Sequence, residues 1–229
     1  MNSYKEQISD YYNSNFKQLT GVGNDSLSAT RLENYKLLGW ESRTAQYKRF
    51  SVLVDSVFLH KSSILDIGCG LADLFHFITQ GFGYNINYTG IDLSPKMIAL
   101  AKEQLKNIPL PANNNSAITL LQQDIFSDNP YNADSFDYVY SSGIFNLNLG
   151  NNLEFLKKAF LLFASICKKA FVCSLLSDTS DDKEDLYYYY NKDSVSRMLA
   201  ELKNDYPLSS FKIVDDYLIN DFSIVWKKS

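Results

Sequence analysis

From Ser62 onward, short apolar runs alternate with segments of helical pattern. The runs are SSILDIG (62–68), INYTGID (86–92), AITLLQQD (117–124), FDYVYSS (136–142) and AFVCSLLS (170–177). Helix-patterned stretches separate them: LADLFHFITQ, SPKMIALAKEQL and a segment at 151–166. Ser94 is a good N-cap, and Pro95 suits the first helical position. Runs that are apolar throughout predict strands buried on both faces, and their alternation with helices predicts a parallel sheet of β-α-β units. The end of the chain differs. After a predicted helix at 192–205, FKIVDDYL and DFSIVWKK follow with only a few residues between them, which predicts an antiparallel hairpin. Before the sheet, residues 3–18 carry Tyr4, Ile8, Tyr11, Tyr12 and Phe16 at helical spacing. The stretch GVGNDSLS (21–28) breaks that pattern, and a second apolar stripe runs over 43–59. The run Tyr187 to Tyr190 reads as a surface or cleft segment.

The first run ends Asp66-Ile67-Gly68-Cys69-Gly70-Leu71-Ala72-Asp73. Ligands of open α/β sheets sit outside the carboxyl ends of the strands, and glycines there let the backbone approach them. A dinucleotide loop would read G-x-G-x-x-G. Gly68 and Gly70 match, but Asp73 stands where the third glycine belongs. A carboxylate at a helix start opposes a pyrophosphate, and Asp66 adds negative charge. The loop suits a ligand with positive charge and no phosphates, and S-adenosylmethionine fits that description. Asp92 ends the second run, where a carboxylate can accept both ribose hydroxyls. Asp124 ends the third run and can accept from an adenine amino group, with the Ile125 N–H donating to the ring.

Together these residues resemble the class I S-adenosylmethionine-dependent methyltransferases, clearly over about 62–177. Asp66, Gly68 and Gly70 match that family's first motif, and Ala72 replaces its last glycine. Asp92 matches the ribose-binding acid, Met97 a residue packed near the adenosine, and Asp124 with Ile125 the adenine pair. The resemblance implies a Rossmann-like α/β fold: seven strands, mostly parallel, with a C-terminal antiparallel hairpin. It implies one domain over 1–229, with 1–60 a helical lid and 61–229 the core. The cofactor residues it implies are Asp66, Gly68, Cys69, Gly70, Asp92, Leu93, Met97, Asp124, Ile125 and Ser141. The phrase Gly39-Trp40-Glu41-Ser42, with Gln46 and Arg49-Phe50, looks like a bacterial subgroup; there Arg49 would pair with the methionine carboxylate. Tyr11, Ser142 and Asn146 are the candidates for touching the acceptor, and no residue is singled out as a general base.

The implied activity is methyl transfer to an O or N atom of a small molecule. A protein or peptide acceptor is the alternative within the family, and a nicotinamide-dependent oxidoreductase the alternative outside it. The chain has no dense Lys/Arg run and a net charge of −4, which disfavours a nucleic-acid partner. Its three cysteines (Cys69, Cys167, Cys173) form no C-x-x-C pair, and His60 and His76 are its only histidines. No metal site or disulfide framework is expected, and the compartment reads as cytoplasmic. No window reaches 18 consecutive apolar residues, so no membrane span is expected.

Overall fold

The structure, a computed structural model, describes residues 4–8, 10, 11, 14 and 34–228. Seven strands form one sheet: β1 (Ser62–Ile67), β2 (Ile86–Asp92), β3 (Ala117–Gln122), β4 (Phe136–Ser142), β5 (Cys167–Leu176), β6 (Ser210–Val214) and β7 (Asp221–Lys227). Their spatial order is β3-β2-β1-β4-β5-β7-β6. The first five strands are mutually parallel. Strand β7 runs antiparallel to both β5 and β6 and is the reversed strand. The expected fold is the observed one. Because β2 and β3 extend the sheet one way from β1 while β4 extends it the other, the strand order switches between β1 and β4. A crevice opens outside the carboxyl ends at such a switch point.

The helices are α1 (Asn34–Leu37, one turn), α2 (Arg43–Ser56), α3 (Asp73–His76), α4 (Pro95–Asn107), α5 (Asn152–Ile166) and α6 (Lys192–Leu202). Their starts follow from local chemistry. Ser42 accepts from the Ala45 N–H, Ser94 from the Met97 N–H and Asn191 from the Ser194 N–H, each satisfying a donor that the first helical turn leaves open. Helix α3 departs from expectation. It is a single α-turn that passes into a π-turn over Phe77–Gly81. One large apolar cluster joins α5 and α6 to a sheet face through Phe163, Phe171 and Trp226. A second joins α2, α3 and α4 to the sheet through Leu53, Phe75 and Tyr88. A sheet covered in this way explains why its strands read as unbroken apolar runs. The expected helix over 3–18 is described at residues 4–8, 10, 11 and 14 only, where all are helical; its remainder and the 21–28 break lie outside the described residues. Among the described residues, no helix is long and apolar enough to cross a membrane.

Candidate active site

The loop after β1 is held to the end of β2. The Gly68 and Cys69 N–H groups donate to the Ile91 carbonyl at 2.8 and 3.0 Å. Gly68 has φ +78°, and a Cβ there would lie 2.2 Å from Ile144, which follows β4. Two loops therefore approach each other at the switch point only because one of them carries a bare backbone. Ala72 takes a left-handed conformation, with φ 59° and ψ 32°, where the resembling motif has glycine. The turn is kept, at a local steric cost.

Asp92 organises this corner. One carboxylate oxygen accepts from the Gly70 N–H at 2.9 Å and the other from the Ser94 N–H at 2.8 Å. A carboxylate has about four lone-pair sites, so both oxygens keep acceptor capacity toward the cavity that Asp92 lines. Burial raises its pKa, while those two N–H donors act the other way. Asp66 lies deeper and is fully enclosed, with its carboxylate accepting from the Tyr88 hydroxyl. Burial pushes it up to about 7. The negative charge expected of Asp66 is thus reduced near neutral pH. Asp73 is also buried, and its carboxylate accepts from the Asn34 and Gln46 side-chain amides at 2.8 and 3.1 Å.

The cavity outside β1, β2 and β4 measures about 520 Å³. It brings together Tyr11, Arg49, Gly68, Asp92, Leu93, Asp124, Ile125 and Asn146 from the expected set. A smaller space of about 30 Å³ behind the glycine loop is lined by Asp66, Cys69, Gly70, Met97 and Ser142. Gly68, Asp92, Leu38 and Trp40 border both spaces. Met97 is buried against Leu37 and Leu71.

Three expectations meet a different geometry. Ser141 borders neither space; it is fully buried, and its hydroxyl donates to the Ile67 carbonyl at 3.0 Å. Arg49 is neither solvated nor unpaired. Its Nε donates to Asp221, its guanidinium lies 4.5 Å from the Trp40 ring centroid, and the residue is 6% exposed. Its Nη1 is buried without an acceptor. Asp124 is engaged by the N-terminal segment: Tyr4 donates to it, the Lys5 ammonium lies at 2.7 Å, and the Ser127 hydroxyl donates at 2.6 Å. Burial raises the Asp124 pKa, but these donors outweigh it and hold the carboxyl below the ordinary range.

The structure adds residues to this cavity: Asp182, Glu184 and Asp221 were not singled out in the sequence, while Trp40, Glu41 and the tyrosine run were noted without a role in the site. Trp40, Glu41 and Asp221 line one side, and Asp182, Glu184, Tyr187 and Tyr189 another. The tyrosine run alternates. Tyr187 and Tyr189 face the cavity, while Tyr188 packs on the core and Tyr190 is fully buried with its hydroxyl on the Phe145 carbonyl. Period-two alternation of an extended segment was the available signal. The Tyr11 and Tyr187 hydroxyls meet at 2.9 Å, joining the N-terminal segment to this wall. All three cysteines are buried and unbridged.

Residues 64–163 match the family model described as a methyltransferase domain. The chain is 29% identical over 178 residues to ribosomal RNA large subunit methyltransferase F of Pseudoalteromonas translucida. That match takes in 66% of this chain but 55% of the relative, so the chain spans about half of that relative's length. The fold is similar to that of a SAM-dependent methyltransferase from Aquifex aeolicus, with TM-score 0.57 and 16% identity over 79% of this chain and 89% of that one. It is similar too to phosphoethanolamine N-methyltransferase 2 of Haemonchus contortus, solved with S-adenosylhomocysteine, with TM-score 0.66 and 11% identity over 100% of this chain and 60% of that one. The glycine loop after β1, the acid ending β2, the 3-2-1-4-5-7-6 strand order and the match over 64–163 agree: this part of the chain is a methyltransferase domain, and the fold is similar to that of solved S-adenosylmethionine-dependent methyltransferases.

Proposed function

We propose that this chain transfers a methyl group from S-adenosylmethionine to an oxygen or nitrogen atom of a small molecule, within a single domain whose N-terminal segment is a lid. The observation that carries the reading is the cavity at the switch point. It is bordered by the cofactor-type loop and Asp92 on one side and by the N-terminal Tyr4, Ile8 and Tyr11 on another. Its volume is in the range of small-ligand sites, and a wall formed partly by the chain's own N-terminal segment favours a compact acceptor.

The residues present fit the cofactor. Asp92 retains acceptor capacity on both oxygens for two ribose hydroxyls. Ile125, at the end of the β3 loop, offers its N–H to adenine, and Asp124 its carboxylate once Tyr4 and Lys5 give way. The Nη1 of Arg49, buried without an acceptor, suits the methionine carboxylate. When bound, the cofactor supplies a methyl group already activated on a sulfonium. The protein's own work is alignment and exclusion of water, and alignment is worth up to ~7–11 kcal/mol of a barrier. The lid would supply the exclusion.

The rRNA methyltransferase relative makes RNA the second acceptor class. The carboxylates Glu41, Asp182 and Glu184 along the cavity weigh against it, because a phosphate backbone calls for cations. Titration calorimetry with S-adenosylhomocysteine and, separately, NAD tests the cofactor assignment. Binding of the first alone is expected, and selective binding of NAD overturns the reading.

A further inference from the structure

We propose that the acceptor is an amine, captured as its ammonium where Asp182, Glu184, Tyr187 and Tyr189 line the cavity; it gives up a proton to water, and the freed nitrogen lone pair then bonds the methyl carbon as the carbon–sulfur bond breaks and S-adenosylhomocysteine leaves. This rests on the methyltransferase reading and names the substrate class of the same site.

The charge around the cavity is lopsided. Among its described lining residues, Arg49 is the one cation, and Asp221 neutralises it. Asp92 is held by backbone N–H groups, with its remaining acceptor capacity assigned to the ribose, and Asp124 is paired with Lys5. Asp182 and Glu184 also line the cavity and form no ion pair among the described residues. Carboxylates beside a partly enclosed space attract a cation.

The loop carrying them is fixed. The Tyr189 hydroxyl accepts from the Glu184 N–H at 3.0 Å and donates to the Asp182 carbonyl at 3.3 Å. The Ser180 hydroxyl, in the same loop, donates to the Asn220 side chain at 3.0 Å. The backbone that carries both acids is thus tied to Tyr189, which lines the same cavity, and aromatic faces favour cations. Lys183, outside the lining, already lies 5.9 Å from the Tyr189 ring centroid. An independent observation marks the cavity as a ligand site: Arg49 lines it, and the buried Nη1 of this residue has no acceptor. With the cofactor carboxylate assigned to that nitrogen, the acidic, tyrosine-walled end is left for the second ligand. An ammonium offers what that end lacks, a positive charge with several N–H donors.

The test uses three probes of one size that differ in head group: phenethylamine, 2-phenylethanol and phenylacetate. Each is titrated by calorimetry into the full chain, with and without saturating S-adenosylhomocysteine. The amine is expected to bind and the other two to bind at least about tenfold more weakly. The double variant Asp182→Asn, Glu184→Gln, whose positions are exposed, is expected to melt like the parent and lose the amine by about tenfold or more. Failure of the amine to bind, equal binding of the alcohol or carboxylate, or amine binding indifferent to the double substitution each overturns the proposal. Failure of S-adenosylhomocysteine itself to bind overturns the cofactor reading instead, and the amine titration without it still decides this one.

Discussion

The two ends of the cavity are built in opposite ways. The end proposed for the cofactor is made of strand termini: Gly68 follows β1, Asp92 closes β2 and Ile125 follows β3. Each is placed by backbone hydrogen bonding within a few residues of its strand. The rest of the cavity, from Arg49 to the end proposed for the acceptor, is assembled from segments far apart in the chain. Tyr11 meets Tyr187 across 176 positions, and Arg49 meets Asp221 across 172. A sheet edge fixes one end, and side-chain contacts between distant segments fix the other. Substitutions should therefore divide between loss of the cofactor and loss of the assembly.

The largest effect is expected from Asp92→Ala. It removes the two charged hydrogen bonds proposed between Asp92 and the ribose, each worth ~1.5–3 kcal/mol, which amounts to at least about a hundredfold in affinity for S-adenosylhomocysteine. Asp124→Ala should cost clearly less by the same calorimetry, because Tyr4 and Lys5 already occupy that carboxylate and the Ile125 N–H survives the change. Equal and negligible losses in both variants would break the comparison at its cofactor end.

Arg49→Ala tests the part assembled from distant segments. It leaves Asp221, 3% exposed at its side chain, buried without its partner. Breaking such a pair costs about 3–5 kcal/mol of stability, read from urea unfolding. Adding Asp221→Asn should recover part of that loss, since the orphaned charge is what makes the single variant costly. A single variant as stable as the parent would mean that the pair does not hold α2 to β7.

Asp66 gives the next effect, in pH. Its folded pKa of about 7 lies above the ordinary carboxylate value, so between about pH 4 and pH 7 the folded chain holds a proton that the unfolded chain releases. Stability contributed in this way is present below about pH 4 and is lost as pH rises toward 7. Urea unfolding across that range should show the decline, and Asp66→Asn should flatten it. A parent curve that rises over the same interval would contradict the assignment.

This division also explains what the sequence made legible. The strand runs, the Ser94 cap and the reversed β7 follow from local pattern, because a parallel sheet buried on both faces writes itself as apolar runs. Gly68, Asp92 and Ile125 were legible for the same reason: their place is a strand end. That the Ser141 hydroxyl is spent on the Ile67 carbonyl was not legible, because a side-chain contact between neighbouring parallel strands leaves no spacing to read. The partners of Arg49 and Asp124 were not legible. Ion pairs across more than a hundred positions leave no spacing to read, and neither Asp221 nor Lys5 stands out among the 26 acidic and 22 basic residues of the chain. The π-turn after α3 likewise has no mark in FITQG.

The smallest effect is expected at the contact between the N-terminal segment and the core. Lys5 is 44% exposed where it meets Asp124, so Lys5→Ala should change stability by no more than about 1 kcal/mol. A much larger loss in thermal unfolding would make the N-terminal segment a structural strut and not a lid.

In the proposed function, one cofactor site joins both ends of the cavity beneath the N-terminal segment. Hydrogen–deuterium exchange of the full chain, with and without S-adenosylhomocysteine, tests it most directly. Slower exchange is expected at the glycine loop (66–73) and around Asp92, together with slower exchange at 4–11 and 182–190. Protection confined to the glycine loop and Asp92 would contradict the lid, and no protection at either would contradict the site itself.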